Sequence, residues 1–153
     1  MPASRILLVE DDAVLRDLIW RNLRARGHEV RLAENAQQAL TELRAAPVDL
    51  VLLDINLPDQ SGWEVLRIAQ QCGWLHSQKM PKENKGGEEQ EEIATLPVVV
   101  LSAVRVSTTR LQEFHPLAYL PKPFPMDALL RLAAEAGNYR DGDSVPVQEE
   151  YHA

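Results

Sequence analysis

The stretch "DLVLLDINLPDQSGWEVL", Asp49 to Leu66, decides the fold. Leu50 to Leu53 carry apolar side chains on both faces of an extended run, as a central strand of a parallel sheet does. Asp54 ends that run, and a polar turn containing Pro58 follows. Ser61 with Glu64 three residues on reads as a capping box, opening a helix through Val65, Leu66 and Ala69 toward Gly73. A buried strand feeding a helix is one β–α unit, so the fold turns on whether the unit repeats.

It repeats on both sides. Upstream, Arg5 to Val9 is a strand, followed by a helix from about Ala13 to Arg26. Val14, Leu15, Leu18, Ile19 and Leu23 share one face of that helix, and Gly27 stops it. "HEVRLAE" alternates Val30 and Leu32 with polar neighbours and reads as a short strand. Asn35 caps the next helix, which places Ala36, Ala39, Leu40 and Leu43 on one face before Pro47 closes it. Downstream, "PVVVLS" is a second doubly buried strand, "LAYLP" a weaker one, and "PMDALLRLAAEA" the closing helix. Strands alternating with amphipathic helices predict an α/β fold, a doubly wound five-stranded parallel sheet with helices on both faces.

Two segments break the rhythm. Residues 74–96, containing "HSQKMPKENKGGEEQEEIATL", are charged, contain glycine and lack a sustained apolar period. They read as a mobile surface insertion, with a partner-binding loop as the less favoured alternative. Residues 137–153 read as a polar, disordered tail, which leaves 1–136 as one domain.

The whole chain narrows the class. A net charge of -7 and the lack of a basic stripe argue against a nucleic-acid partner. The single cysteine, Cys72, excludes an intramolecular disulfide and a Cys-based zinc site. No apolar run approaches the ~20 residues of a membrane span, and the N-terminus has no signal-peptide layout. The expectation is a soluble, cytoplasmic protein.

Chemistry in such a sheet belongs beyond the carboxyl ends of its strands. The first strand delivers Glu10, Asp11 and Asp12; the third, Asp54; the fourth, Ser102; the fifth, Lys122. Singly, each has a structural explanation as a cap or a solvated charge. Together they fall at one edge, and gathered acids carry a cost. Two like charges ~4 Å apart repel by about 1 kcal/mol in water and several times that in a drier cleft. Oxygen-only ligands suit a hard cation such as Mg²⁺. A carboxylate beside it can act as a nucleophile and form an acyl phosphate, with Lys122 and Ser102 placed to neutralise or hydrogen-bond phosphoryl oxygens. Asp12 is expected to face away and start the first helix.

Five spaced elements, "LVEDD", "LLDINLPDQSGWEVL", "VVVLSA", "AYLPKPF" and the alternation between them, resemble the receiver domains of two-component response regulators over residues 4–136. The D-x-x-L-P-x-x-x-G string from Asp54 to Gly62, joined to a downstream K-P-F, is the most specific part. The resemblance implies a stand-alone receiver in which Asp54 is the phosphoacceptor. It implies Mg²⁺ held by Asp11 directly, by Glu10 through water, by Asp54 and by the backbone carbonyl of Asn56. Ser102 would bond the phosphoryl group and couple it to a conformational change, with Tyr119 as the aromatic switch residue. Lys122 would contact phosphoryl oxygens, across a cis bond to Pro123.

The implied donor is a histidine kinase or a histidine phosphotransfer protein, and the output is by protein contact, with a phosphorylation-dependent homodimer left open. The chain would act as an enzyme only on itself, forming and losing its own aspartyl phosphate. Asn56 and Val104, each two residues past a site residue, are expected to influence the rate of water attack. Two departures from the pattern stand out: the insertion, and the run "VRVSTTRLQEFHPL", which predicts a short or irregular fourth helix. The competing reading is a phosphorylation-independent adaptor of the same fold. A haloacid-dehalogenase-like phosphohydrolase is disfavoured, because Asn56 stands where that chemistry needs a second aspartate.

Overall fold

Strands and helices alternate without exception in the computed structural model, which describes residues 4–75 and 96–136. The order is β1 (Arg5–Val9), α1 (Ala13–Ala25), β2 (Glu29–Ala33), α2 (Ala36–Ala45), β3 (Leu50–Asp54), α3 (Gly62–Gln71), β4 (Val98–Ser102), α4 (Thr108–Phe114), β5 (Ala118–Pro121) and α5 (Met126–Ala136). All strand pairs are parallel, and the sheet runs β2-β1-β3-β4-β5. The doubly wound five-stranded sheet expected from the sequence is present.

Side-chain alternation divides the core in two. Leu7, Val9, Val51, Leu53, Val98 and Val100 face one way, toward α2 and α3 through Ala36, Ala39, Leu43, Val65 and Leu66. Ile6, Leu8, Leu50, Leu52, Val99 and Leu101 face the other way, toward α1 through Ile19 and Leu23 and toward α5 through Leu129 and Ala133. Every residue of β3 and β4 is buried, so the both-face apolar runs have helices on each side.

Several local readings need correction. Val14 and Leu18 are 80% and 49% exposed, so the buried stripe of α1 is Ile19 and Leu23 with Leu15 packed at its edge. The five apolar residues span a wider arc than the sheet covers. Leu32 is exposed as well, because β2 is an edge strand covered less fully than the centre. At α3, the Ser61 hydroxyl accepts from the Trp63 N–H, and the Glu64 carboxylate pairs with Arg67. Ser61 does cap the helix, as a local hydroxyl turn in place of the reciprocal box.

The ends of the expected 74–96 insertion are core: Leu75 and Leu96 are buried, and the Leu96 N–H donates to the Leu75 carbonyl at 2.6 Å. The interior of that segment, 76–95, and the tail, 137–153, lie outside the described residues. The fourth helix is short, as expected. α4 has seven residues, none of them buried, and ends at His115 with φ 46°. Among the described residues, no helix is long and apolar enough to cross a membrane.

Candidate functional site

β1 and β3 are neighbours although β2 lies between them in the chain, so the sheet's order reverses at β1. Crevices at such a point take ligands beyond the strands' carboxyl ends. The acids stand there. Glu10 directly follows β1 and has no exposed surface, Asp54 ends β3 and is almost as buried, and Asp11 is exposed. Each offers a carboxylate oxygen within 4.8 Å of the others. This all-oxygen set suits a hard divalent cation.

Lys122 closes the site from β5. Its Nζ is 3.0 Å from both Glu10 carboxylate oxygens and 3.2 Å from Asp54 Oδ2. The Lys122–Pro123 peptide is cis, as the resemblance implied. Part of the acids' mutual repulsion is therefore met by a cation belonging to the chain. Asp54 is fixed further by the Asn56 N–H, which donates to Oδ1 at 3.0 Å.

Titration reflects this crowding. Burial, reinforced by the Asp54 charge, pushes Glu10 up to about 7 although Lys122 pulls against it. Burial also raises Asp54 above the usual carboxylate range, against the Asn56 N–H and the Lys122 charge. Burial works against the Lys122 ammonium, but the hydrogen bond and charge of Glu10, with those of Asp54, more than offset it and raise its pKa.

Ser102 is buried at the end of β4, but its hydroxyl is engaged with Val104. It donates to the Val104 carbonyl at 2.8 Å and accepts from the Val104 N–H at 3.1 Å. The Tyr119 hydroxyl donates to the same carbonyl at 3.1 Å. The two sequence-nominated switch residues thus share one acceptor, a backbone group that no motif could have announced.

Gly62 shows why the string from Asp54 ends as it does. A Cβ there would stand 2.7 Å from the Asp54 carbonyl oxygen and 2.9 Å from Ile55 Cα. Only glycine lets α3 start this close to the strand bearing Asp54. Asp12 behaves as expected, capping α1 through the Val14 and Leu15 N–H groups.

Two residues at the site's border were missed. Arg16 reaches from α1 to the Glu10 carbonyl at 2.9 Å. Asp59 accepts from the Ala36 and Gln37 N–H groups at 2.9 and 3.0 Å, which ties the β3–α3 loop to the start of α2 and lowers its pKa. The Glu10 partner of Arg16 and both partners of Asp59 are backbone groups distant from them in the motif pattern, so neither residue had a sequence signal.

The family model of the response regulator receiver domain matches residues 6–134. The chain belongs to that family. A relative, a probable transcriptional regulatory protein of Picosynechococcus, is 34% identical to this chain over 136 residues, covering 83% of this chain and 46% of its own. The chain spans about half the length, or less, of the curated relatives it matches.

Among solved structures, the response regulator TrrA of Thermotoga maritima, in complex with Mg²⁺ and BeF, is 26% identical with a TM-score of 0.66. It covers 87% of this chain and 98% of its own. The receiver domain of a sensor histidine kinase of Pseudomonas aeruginosa, with magnesium coordinated in its active site cleft, is also 26% identical at a TM-score of 0.66. It covers 89% of this chain and 99% of its own.

Proposed function

We propose that this receiver domain takes a phosphoryl group onto Asp54 in a Mg²⁺-dependent reaction and passes the change on through protein contacts. The single observation that supports this best is the convergence of Glu10, Asp11, Asp54 and Lys122 at one strand edge. Receiver domains of response regulators interact with histidine kinases, so the donor is a phosphohistidine on a kinase or phosphotransfer protein.

In the transfer, an Asp54 carboxylate oxygen forms a bond to phosphorus while the phosphorus–nitrogen bond to the donor histidine breaks. The electron pair leaves with the imidazole. Glu10, Asp11, Asp54 and the Asn56 carbonyl would hold the metal, which supplies charge neutralisation for the phosphoryl oxygens when bound. Lys122 exchanges part of its pairing with Asp54 for a phosphoryl oxygen. Ser102 turns from the Val104 carbonyl to donate to another, leaving Tyr119 as that carbonyl's partner, and this exchange carries the change toward α4 and β5. Later attack by water at phosphorus restores the carboxylate and releases phosphate. The chain is thus not an enzyme acting on a separate substrate. Residues 1–136 form the receiver unit, and 137–153 lie beyond it.

The test is incubation with a small acyl-phosphate donor, with and without Mg²⁺, read by intact mass. The expected result is a gain of one phosphoryl group that needs Mg²⁺ and is lost in Asp54→Asn. A mass unchanged where a control receiver domain is labelled contradicts the proposal.

A further inference from the structure

The peptide unit joining Glu10 to Asp11 is gripped from outside the acid cluster. Arg16, on the second turn of α1, donates from Nη1 to the Glu10 carbonyl at 2.9 Å, with the Asp11 carbonyl 3.5 Å from the same nitrogen. Its Nη2 pairs with Glu34 at 3.2 Å, and the guanidinium is largely buried while the Glu34 carboxylate is well exposed. The 2.9 Å bond is the structural one; 3.5 Å is the outer edge of hydrogen bonding.

That bond bears directly on Asp11. The Glu10 carbonyl and the Asp11 nitrogen lie in one rigid peptide plane. Fixing the plane limits rotation about Glu10 ψ and Asp11 φ, which together aim the Asp11 side chain. Its neighbours are already held: the Glu10 N–H donates to the Ala33 carbonyl at 3.0 Å, and Asp12 caps α1. Asp11 is exposed, so burial does little to orient it, and Arg16 acts on the backbone that carries it. The far end is braced as well. Asn35 caps α2 through the Gln38 N–H, and the Gln38 side chain accepts from the Glu34 N–H at 2.9 Å.

We infer that Arg16 is a positioning residue, which aims the Asp11 carboxylate at the cation shared with Glu10 and Asp54. The inference rests on the metal reading proposed above. Its sign separates it from plain electrostatics. A fixed positive charge near three carboxylates repels a cation, so if charge were all that mattered, removing it would tighten metal binding. A positioning residue has the opposite effect when removed. Lysine at this position keeps the charge but lacks the planar fork that meets a carbonyl and a carboxylate together.

The test is calorimetric titration of the full chain with Mg²⁺ for wild type, Arg16→Lys, Arg16→Gln and Glu34→Gln, with melting curves in EDTA to choose a temperature at which all are folded. Both Arg16 variants should bind Mg²⁺ about 10-fold more weakly, at the low end for outer-shell residues. Glu34→Gln should change binding by a few-fold at most, since its pair is exposed. Unchanged or tighter Mg²⁺ binding in the folded Arg16 variants overturns the inference while leaving the metal reading intact. No Mg²⁺ binding by wild type removes the metal reading and the inference together.

Discussion

Glu10 is buried beside Asp54 and holds its proton up to about pH 7, whereas its reference value is 4.5. Between those values the folded chain binds more protons than the unfolded one, so this group's contribution to stability falls as pH rises through the window. The upward shift of Asp54 acts in the same sense. His28 acts oppositely. Burial, with the Arg26 charge, lowers its pKa below 6.5, so its contribution rises with pH up to that value. In EDTA the melting midpoint should therefore decline between about pH 5 and about pH 7.5. In Glu10→Gln the decline should shrink, leaving the opposed contributions of Asp54 and His28. A variant profile that overlays the wild type would contradict this assignment.

Gly62 carries a steric prediction at the same scale. The atoms that an alanine Cβ would meet first are backbone, which cannot swing aside. Gly62→Ala should destabilise by about 1–3 kcal/mol, the range for overpacking, and the midpoint of urea unfolding should fall accordingly. An unchanged midpoint would show that α3 can retreat at no cost.

Among the elements, the β4 side is where sequence and structure part most informatively. The insertion leaves the core at Leu75 and returns at Leu96, two buried residues joined by a backbone hydrogen bond. The fold thus closes that excursion itself, and loop length adds only slowly to closure entropy. Deleting residues 77–93 should change unfolding free energy by less than about 1 kcal/mol. Leu96→Ala should cost about 2–5 kcal/mol. Denaturant titration compares the two, and a deletion as harmful as the point change would show that the insertion packs. α4 is held differently. Phe114 stacks on Trp63 at 5.6 Å between ring centroids, and Glu113 reaches Arg67 of α3 at 3.8 Å. Its brevity was legible in the β-branched start and in Pro116; its anchoring to α3 was not, because a ring stack leaves no periodic trace.

For the whole molecule, legibility followed the physics of burial. Runs such as Leu50–Leu53 and Val98–Leu101 are apolar on both faces, which forced a parallel sheet and placed the acids, Ser102 and Lys122 at one edge. Amphipathic elements at the margin gave less. Val14 and Leu18 share a helical face with buried residues yet are exposed, since periodicity reports a face and not how much of it is covered. Asp59, and Arg16 in its bond to the Glu10 carbonyl, were invisible because the groups they hold are backbone, which every residue presents alike.

The central claim is that this edge makes Asp54 a phosphoacceptor. It is tested most directly by labelling with an acyl phosphate and Mg²⁺, reducing with borohydride, and mapping the peptides, because an aspartyl phosphate is reduced to homoserine. Homoserine at position 54, absent without Mg²⁺, is the predicted result. Homoserine at Asp11 or Asp59, or none in a chain that has gained the phosphoryl mass, would contradict it.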